Sequence, residues 1–538
     1  MRPLEATPYD AIRLYDTTLR DGTQREGLSL SSGEKLRVTT LLDRLGVAYV
    51  EGGWPGSNPK DADFFERARD LSLQHAKLSA FGATRRRDVH VEDDPSLRAM
   101  LAARTPVCTL FGKSSIAHVR EVLRVSPDEN LRMIEESCAF LRAAGREVIY
   151  DAEHFFDGWA LDASYALATL VAASRGGAQT LVLCDTNGGS FPWQVEEAAR
   201  EVSRLVGAPI GIHAHDDSGC AAANSLAAVR AGARHVQGTM HGWGERCGNA
   251  NLCTLAPALE LGMGLPALPD GALATLTSVA EQIARVAGLD ADPHAPYVGR
   301  SAFAHKGGVH VAATRRWAEA YQHVMPELVG NRTRVVVSEL SGRGNVLSFA
   351  EERGVPLAES VAREVLAEIE REEAEGYSFD RAEGSVALRL ERRSPSYRAP
   401  FEVERYRVQL GRGGDERPYA EVTVWTRVGD RLHHTAGAGR GPVEAFDRAL
   451  REALEPTYPE IAEIRLTDFA VRILDGEAGT AATTRVWIEH RRKGPSATEH
   501  AWGTVGASDN VIEASRRALV DGLEYGLSLS LSRVPAAS

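Results

Sequence analysis

Short apolar runs alternate with amphipathic segments through the first half of the chain. Between the runs, segments such as 33–45, 128–144 and 221–231 repeat apolar residues at three- and four-residue spacing, which is typical of amphipathic helices. Eight strands that alternate with helices predict parallel β units that close into a (β/α)8 TIM barrel. The predicted strands lie at 12–18, 47–52, 78–82, 107–111, 148–151, 180–184, 210–213 and 235–238.

The pattern changes twice after this barrel. A mainly helical region runs from about 270 to 385, with the glycine-bearing segment 305–310 near its start, and strand-like alternation returns after residue 395. There the order strand, turn, helix occurs twice, which indicates an internal duplication suited to subunit pairing or to ligand binding between halves. We therefore predict three domains: a catalytic barrel over 8–275, a helical linker or lid over 276–390, and a duplicated α+β regulatory domain over 395–538.

Composition excludes several classes of protein. The 538 residues exceed what one hydrophobic core holds, and the net charge of −12 disfavours a nucleic-acid partner. The six cysteines form no C-x-x-C pair, the first ten residues contain no apolar signal core, and no run reaches the roughly 18 apolar residues that span a bilayer. We expect a cytoplasmic protein without a membrane or nucleic-acid partner.

The strongest local signal is His213-Ala214-His215, directly after the seventh predicted strand. Residues two apart in a strand point to the same side, so both imidazoles can reach one divalent ion. An H-x-H pattern alone is weak evidence, because loop histidines often only form hydrogen bonds. The first strand adds Arg20 and Asp21 at its carboxyl end, and a closed barrel places this strand beside the eighth.

These segments resemble the family of 2-isopropylmalate, homocitrate and citramalate synthases. The family's barrel begins D-T-T-L-R-D-G and carries H-x-H near its end. The similarity extends through the linking region into the duplicated domain, and it is strongest in segments 15–24, 184–189 and 242–249.

The resemblance implies a metal site and an acyl-transfer reaction. Asp21, His213 and His215 would bind a divalent ion (Mn, Mg, Co or Zn), with Asn249 close by. A chelated 2-oxo acid would then be the electrophile and acetyl-CoA the nucleophile. Arg20 would face the developing alkoxide; its alternative is a salt bridge to Glu51.

Two further pairs of residues follow from the same resemblance. Glu153 and Thr186 would contact the oxo acid, although Thr186 also fits a turn hydroxyl. His310 would be the base that deprotonates acetyl-CoA, assisted by Tyr321, and in the family this segment reaches the active site of the partner subunit. A homodimer is therefore expected. His305 is a rival for the base, and either histidine also fits a helix cap.

Within the family, the segments 51–61, 108–114 and 150–158 look most like the long citramalate branch, which uses pyruvate. Bulky Leu110, Phe111 and Phe155 would fill the space of a larger side chain, but a pocket wall discriminates one methylene by only about 1–3 kcal/mol. The regulatory domain implies feedback inhibition by isoleucine in branched-chain amino acid biosynthesis. The alternatives are 2-oxoisovalerate or 2-oxoglutarate as substrate, a lyase or carboxyltransferase on a related barrel, and an inactive amino-acid sensor.

Overall fold

The computed structural model describes residues 11–314, 316–339, 341–412, 418–493 and 499–531. The chain divides into two compact units. The first comprises Met1–Phe303 and His323–Arg332, and the second comprises Ala304–Gln322 and Thr333–Ser538. Segment 276–390 thus contributes to both units, and the division into three domains stays a prediction.

A closed barrel of eight parallel strands forms the first unit, which confirms the predicted fold. It closes where the first strand pairs in parallel with the eighth, from Arg13 opposite His235 to Asp16 opposite Gly238. The strands are β1 (Arg13–Asp16), β2 (Tyr49–Gly53), β3 (Lys77–Ala83), β4 (Val107–Lys113), β5 (Glu147–Glu153), β6 (Thr180–Asp185), β7 (Ile210–Ala214) and β8 (His235–Gly238).

Several helices of this unit begin at polar caps or prolines. Ser31 and Glu34 form a capping box at the first helix, in which each side chain accepts a hydrogen bond from the other residue's backbone N–H. The helices are α1 (Ser32–Leu45), α2 (Pro59–Ala68), α3 (Pro95–Ala102), α4 (Ile116–His118), α5 (Pro127–Ala143), α6 (Phe155–Arg175), α7 (Pro192–Leu205), α8 (Ala221–Arg230), α9 (Leu252–Pro257) and α10 (Leu276–Ala287).

The barrel interior changes from apolar to polar toward the carboxyl ends of the strands. Tyr15 belongs to a small buried cluster with Val107 and Ile149, but its hydroxyl lies 2.6 Å from Glu51 and 2.8 Å from Thr109. Buried polar groups are stable only when they are hydrogen-bonded. This network therefore gives the carboxyl end of the barrel a rigid polar floor.

The second unit contains the linking helices, a two-stranded sheet and two three-stranded sheets, with one large apolar cluster. Its elements are β9 (Ala304–His305), α11 (Gly308–Thr314), β10 (Arg334–Val335), α12 (Arg343–Glu351), α13 (Glu359–Ala374), α14 (Glu383–Glu391), β11 (Glu402–Arg412), β12 (Pro418–Val428), β13 (Arg431–Gly439), α15 (Pro442–Leu454), β14 (Ile464–Ile473), β15 (Thr484–Lys493), β16 (Glu499–Ser508) and α16 (Val511–Leu531).

The predicted duplication is confirmed in the two antiparallel sheets β11-β12-β13 and β14-β15-β16, which pack against α15 and α16 respectively. The Thr435 hydroxyl donates to the Ala449 carbonyl at 2.7 Å, and the Thr504 hydroxyl donates to the Ala518 carbonyl at the same distance.

One glycine in each half lets the helix of that half pack closely against its sheet. A Cβ on Gly437 would lie 2.3 Å from the Ala445 carbonyl oxygen, and one on Gly506 would lie 2.2 Å from that of Ala514. The two halves thus share their packing as well as their order of elements.

No helix in the described part of the chain combines the length and apolar composition needed to cross a bilayer.

His490 is buried beneath α16, and neither ring nitrogen has a hydrogen-bond partner among the described residues. Burial lowers its pKa to about 3. Because the unfolded chain takes up this proton near pH 6.5, stability is lost as the pH falls from about 6.5 toward 3, by about 1.4 kcal/mol per pH unit.

We expect His490→Leu to reduce the acid sensitivity of the second unit. Urea unfolding at pH 6.5 and pH 5 should show the wild type losing about 2 kcal/mol more than the variant. His434→Leu, at an exposed histidine in the other half of the domain, is the control and should keep the wild-type dependence. Equal losses in the wild type and His490→Leu would contradict the assignment.

Candidate metal centre and active site

A cleft of about 760 Å³ opens at the carboxyl ends of the barrel strands. In a closed parallel barrel these ends meet on one face, so residues far apart in sequence converge there. The lining residues are Arg20, Asp21, Gln24, Trp54, Phe81, Phe111, Asp151, Glu153, Cys184, Thr186, His213, His215, Glu245 and Arg246.

Asp21, His213 and His215 form the one group of three potential ligands found among the described residues. The Nε2 atoms of His213 and His215 are 3.3 Å apart. Asp21 Oδ2 lies 3.8 Å from the Nε2 atom of His213 and 3.9 Å from the Nε2 atom of His215. The point in the plane of these three atoms that is equidistant from them lies about 2.1 Å from each. This distance matches a bond between a divalent transition ion and a nitrogen or oxygen ligand. These residues therefore fit a metal ion.

Burial and mutual attraction hold these side chains in their ligating forms. Burial lowers the pKa of His215 to about 4 and also lowers that of His213, so both rings are neutral at physiological pH. For Asp21, burial raises the pKa, but Arg20 and the two histidines outweigh it and lower the pKa to about 2. A neutral imidazole pair and a carboxylate are the forms that bind a divalent ion.

Asn249 supports the same group. Its Nδ2 donates to Asp21 Oδ1 at 2.9 Å, and its Oδ1 is buried without a partner among the described residues. Gly244 leaves room for this contact, because a Cβ there would lie 2.1 Å from Asn249 Nδ2. Its φ of +159° is also one that other residues rarely adopt.

Arg20 makes the salt bridge to Glu51 and also lines the cleft, so the salt bridge does not exclude the predicted role in the cleft. Its Nε lies 2.5 Å from Glu51 and its Nη1 lies 2.7 Å from Asp21, while the guanidinium stacks 3.8 Å from the Phe81 ring centroid. No bond to its Nη2 forms among the described residues. The ion pairs thus orient one end of the guanidinium and leave a donor for a ligand in the cleft.

Glu153 and Thr186 lie on the same face of the cleft. The Glu153 carboxylate is 2.5 Å from Lys113 Nζ. The Thr186 hydroxyl accepts the His154 N–H at 2.8 Å, so its own proton remains available for donation. Thr186 therefore serves the turn and can still contact a ligand.

Of the three bulky residues expected in the pocket, only Phe111 lines the cleft. Leu110 and Phe155 are fully buried in the apolar core outside the cleft. Successive side chains along a strand point to opposite faces, so Leu110 points to the face opposite that of its neighbour Phe111, which lines the cleft. The prediction for Leu110 and Phe155 is therefore wrong.

An aromatic wall is formed by Trp54, Phe81 and Phe111, of which the sequence reasoning missed Trp54 and Phe81. Phe81 and Phe111 stack with ring centroids 5.2 Å apart, and Trp54 meets both edge to face. These residues come from β3, β4 and the loop after β2, so no local motif joins them. Only the period-two alternation within β3 and β4 could have indicated Phe81 and Phe111.

Two polar residues of the cleft, Asp151 and Arg246, were also missed. Asp151 and Glu153 are two apart on β5, and both reach the cleft. Burial and Glu51 raise the pKa of Asp151 to about 8. Arg246 lines the cleft from the loop after β8 and forms a bidentate ion pair with Asp217.

His310 and Tyr321 belong to the second unit. Their rings stack with centroids 4.1 Å apart and planes inclined by 20°, and both side chains are exposed. His305 is buried, its Nε2 has no partner among the described residues, and burial lowers its pKa. Of the two candidate bases, His310 is thus the accessible one.

Comparison with known proteins divides the chain in the same order. The HMGL-like family model matches residues 11–283, the homocitrate synthase post-HMGL domain-like model matches 297–376, and the LeuA allosteric (dimerisation) domain matches 382–527. An (R)-citramalate synthase of Geobacter sulfurreducens is 48% identical and covers 96% of this chain and 98% of its own length. An (R)-citramalate synthase of Synechocystis is 49% identical, with 97% of each chain covered.

The chain belongs to the (R)-citramalate synthase family. A probable 2-isopropylmalate synthase of Methanopyrus kandleri is 30% identical and covers 96% of this chain and 98% of its own length. That match spans nearly the whole chain, but the identity of this chain to the Geobacter and Synechocystis (R)-citramalate synthases is far higher.

We expect Asp21→Asn and His215→Ala each to weaken Mn²⁺ binding by more than about 100-fold, because each removes a direct ligand rather than an outer partner. Electron paramagnetic resonance of free Mn²⁺ measures the dissociation constant on the full chain. His75→Ala, at an exposed histidine outside the cleft, should leave it unchanged. Wild-type affinity in either ligand variant would contradict the site.

Proposed function

We propose that the protein condenses acetyl-CoA with pyruvate and water to give (R)-citramalate and CoA, in isoleucine biosynthesis. The observation that carries this proposal is the convergence of Arg20 with Asp21, His213 and His215 in one cleft. Similarity to (R)-citramalate synthases over nearly the whole chain supports it.

A divalent ion held by Asp21, His213 and His215 would act as a Lewis acid on the keto group of a bound 2-oxo acid. Arg20 faces the same space with a permanently charged donor, so it can stabilise negative charge that develops on the keto oxygen. Glu51 holds the guanidinium in place before the reaction. Manganese, magnesium, cobalt and zinc are the candidate ions.

The cleft offers further contacts to the oxo acid. Thr186 can donate a hydrogen bond to its carboxylate, and Glu153, paired with Lys113, lies beside it. Cys184 also lines the cleft, but burial raises the pKa of its thiol far above the usual range, so it is a poor nucleophile. Water rather than a cysteine therefore takes the acyl group from CoA.

His310 is the base that we assign to the acetyl methyl proton, with His305 as its alternative. Stacking on Tyr321 holds the His310 ring while leaving it accessible. A base needs direct access to the proton that it removes, which favours the exposed imidazole over the buried one.

The regulatory domain is assigned to isoleucine binding and to homodimer formation, because it matches the LeuA allosteric (dimerisation) domain. Strand β14 carries exposed Phe469, Val471 and Ile473 at alternate positions. Such an apolar stripe on an outer strand suits burial against a second copy. We place the reaction in the cytoplasm, where six free cysteines stay reduced.

The test of this function is the release of free thiol from acetyl-CoA in the presence of Mn²⁺ or Mg²⁺. Pyruvate should support release, 2-oxoisovalerate and 2-oxoglutarate should support little, and isoleucine should inhibit. Preference for another acid would move the enzyme to a sister branch. No release with any acid would overturn the proposed reaction.

The aromatic wall should set the preference for pyruvate. Phe81→Leu and Phe111→Leu each free space for a longer side chain, so we expect the ratio of kcat/KM for 2-oxoisovalerate over pyruvate to rise about 10- to 100-fold. Phe155→Leu, which lies outside the cleft, is the control. An unchanged ratio in both wall variants would contradict this assignment.

Complementation between subunits tests where His310 acts. Arg20→Gln and His310→Ala should each be nearly inactive as homodimers. If the base serves the partner's site, an equal mixture that exchanges subunits should regain about a quarter of wild-type activity, since half the dimers contain one intact site of two. No recovery in verified heterodimers would place His310 in the site of its own subunit.

A further inference from the structure

The two histidines of the metal group differ at the ring nitrogen that faces away from it. His213 Nδ1 lies 2.9 Å from Gln237 Oε1, whereas His215 Nδ1 is buried without a partner among the described residues. The tautomer of one ring is therefore determined by a neighbour on β8, and that of the other is not.

We propose that Gln237, itself held by Asp151, is a positioning residue that keeps His213 in the tautomer that binds metal; this rests on the proposed function of the site. An amide oxygen only accepts hydrogen bonds, so His213 must carry its proton on Nδ1. Its Nε2 then presents a lone pair toward Asp21 and His215.

Asp151 fixes which end of the amide faces the histidine. Gln237 Nε2 donates to Asp151 Oδ1 at 2.9 Å. Oδ1 accepts whether the carboxyl is charged or carries a proton on its other oxygen. Turning the amide over would give up this bond and point an N–H group at His213, which favours the wrong tautomer.

The three residues that form these hydrogen bonds are buried, so few other partners can reach them. Gln237 is 0% exposed, Asp151 4% and His213 5%, so water cannot easily replace a lost partner. The three residues lie on β8, β5 and β7 of the closed barrel. Rigid strands hold the donors and acceptors in register more precisely than loops would.

The first test is Gln237→Met, which keeps the size of the side chain and removes the acceptor. We expect Mn²⁺ to bind the full-length variant about 10- to 100-fold more weakly, as is usual when an outer partner of a metal-binding histidine is lost. The visible absorption spectrum of the Co²⁺-loaded protein should change as well, because the orientation of one ligand changes.

A swapped pair provides the rescue. When Gln237→Glu is combined with Asp151→Asn, the introduced carboxylate can accept hydrogen bonds from the introduced amide and from His213. Affinity and the Co²⁺ spectrum should then return close to those of the wild type. Asn224→Leu loses a buried amide that bonds Ser190 outside the cleft and should leave Mn²⁺ affinity unchanged.

The outcomes separate this proposal from the proposed function. If His213→Ala binds Mn²⁺ as tightly as the wild type, the metal site and the reaction built on it are overturned together. If His213→Ala loses binding but Gln237→Met, with an unchanged circular dichroism spectrum, retains full affinity, only the positioning role fails. A swapped pair that binds no better than Gln237→Met would remove Asp151 from the assignment.

Discussion

The ion pairs that join Glu51, Arg20 and Asp21 are the constraint on which the barrel site depends. They place two ionised carboxylates in a buried interior, which is favourable only because one guanidinium contacts both. Without Arg20, burial would favour the protonated form of Asp21 and remove a metal ligand. The same arrangement orients the Arg20 guanidinium at the cleft.

The buried ion pairs also affect the polar groups around them. Tyr15 and Thr17 donate hydrogen bonds to Glu51, so its remaining acceptor sites are satisfied. Burial and the nearby Glu51 carboxylate raise the pKa of a further carboxyl group, that of Asp151, to about 8. The interior thus separates carboxyl groups by role: Asp21 is kept ionised for the metal, and Asp151 is left for hydrogen bonding.

The chemistry is divided between two compact units, with metal ligands in one and the candidate base in the other. In the second unit, Gly437 and Gly506 allow two helices to pack closely on two sheets in the same way. A duplicated module of this kind is suited to symmetric pairing. If His310 serves the site of the partner subunit, assembly and catalysis are linked.

The sequence by itself determined the eight strands, the barrel, the duplication and the group Asp21, His213 and His215. These features depend on local periodicity and on motifs at strand ends, which short segments encode. It could not distinguish whether Arg20 pairs with Glu51 or faces a substrate; in the structure the guanidinium pairs with Glu51 and also lines the cleft.

Only the tertiary structure decided the wall of the cleft and the bonds from Asp151 through Gln237 to His213. The members of each set come from different strands, and their contacts exist only after the barrel closes. Leu110 was misplaced for the same reason, because hydrophobicity marks a residue as buried but not the side of the strand on which it is buried. The face on which each side chain lies depends on how the sheet closes, and closure requires pairing between strands far apart in sequence.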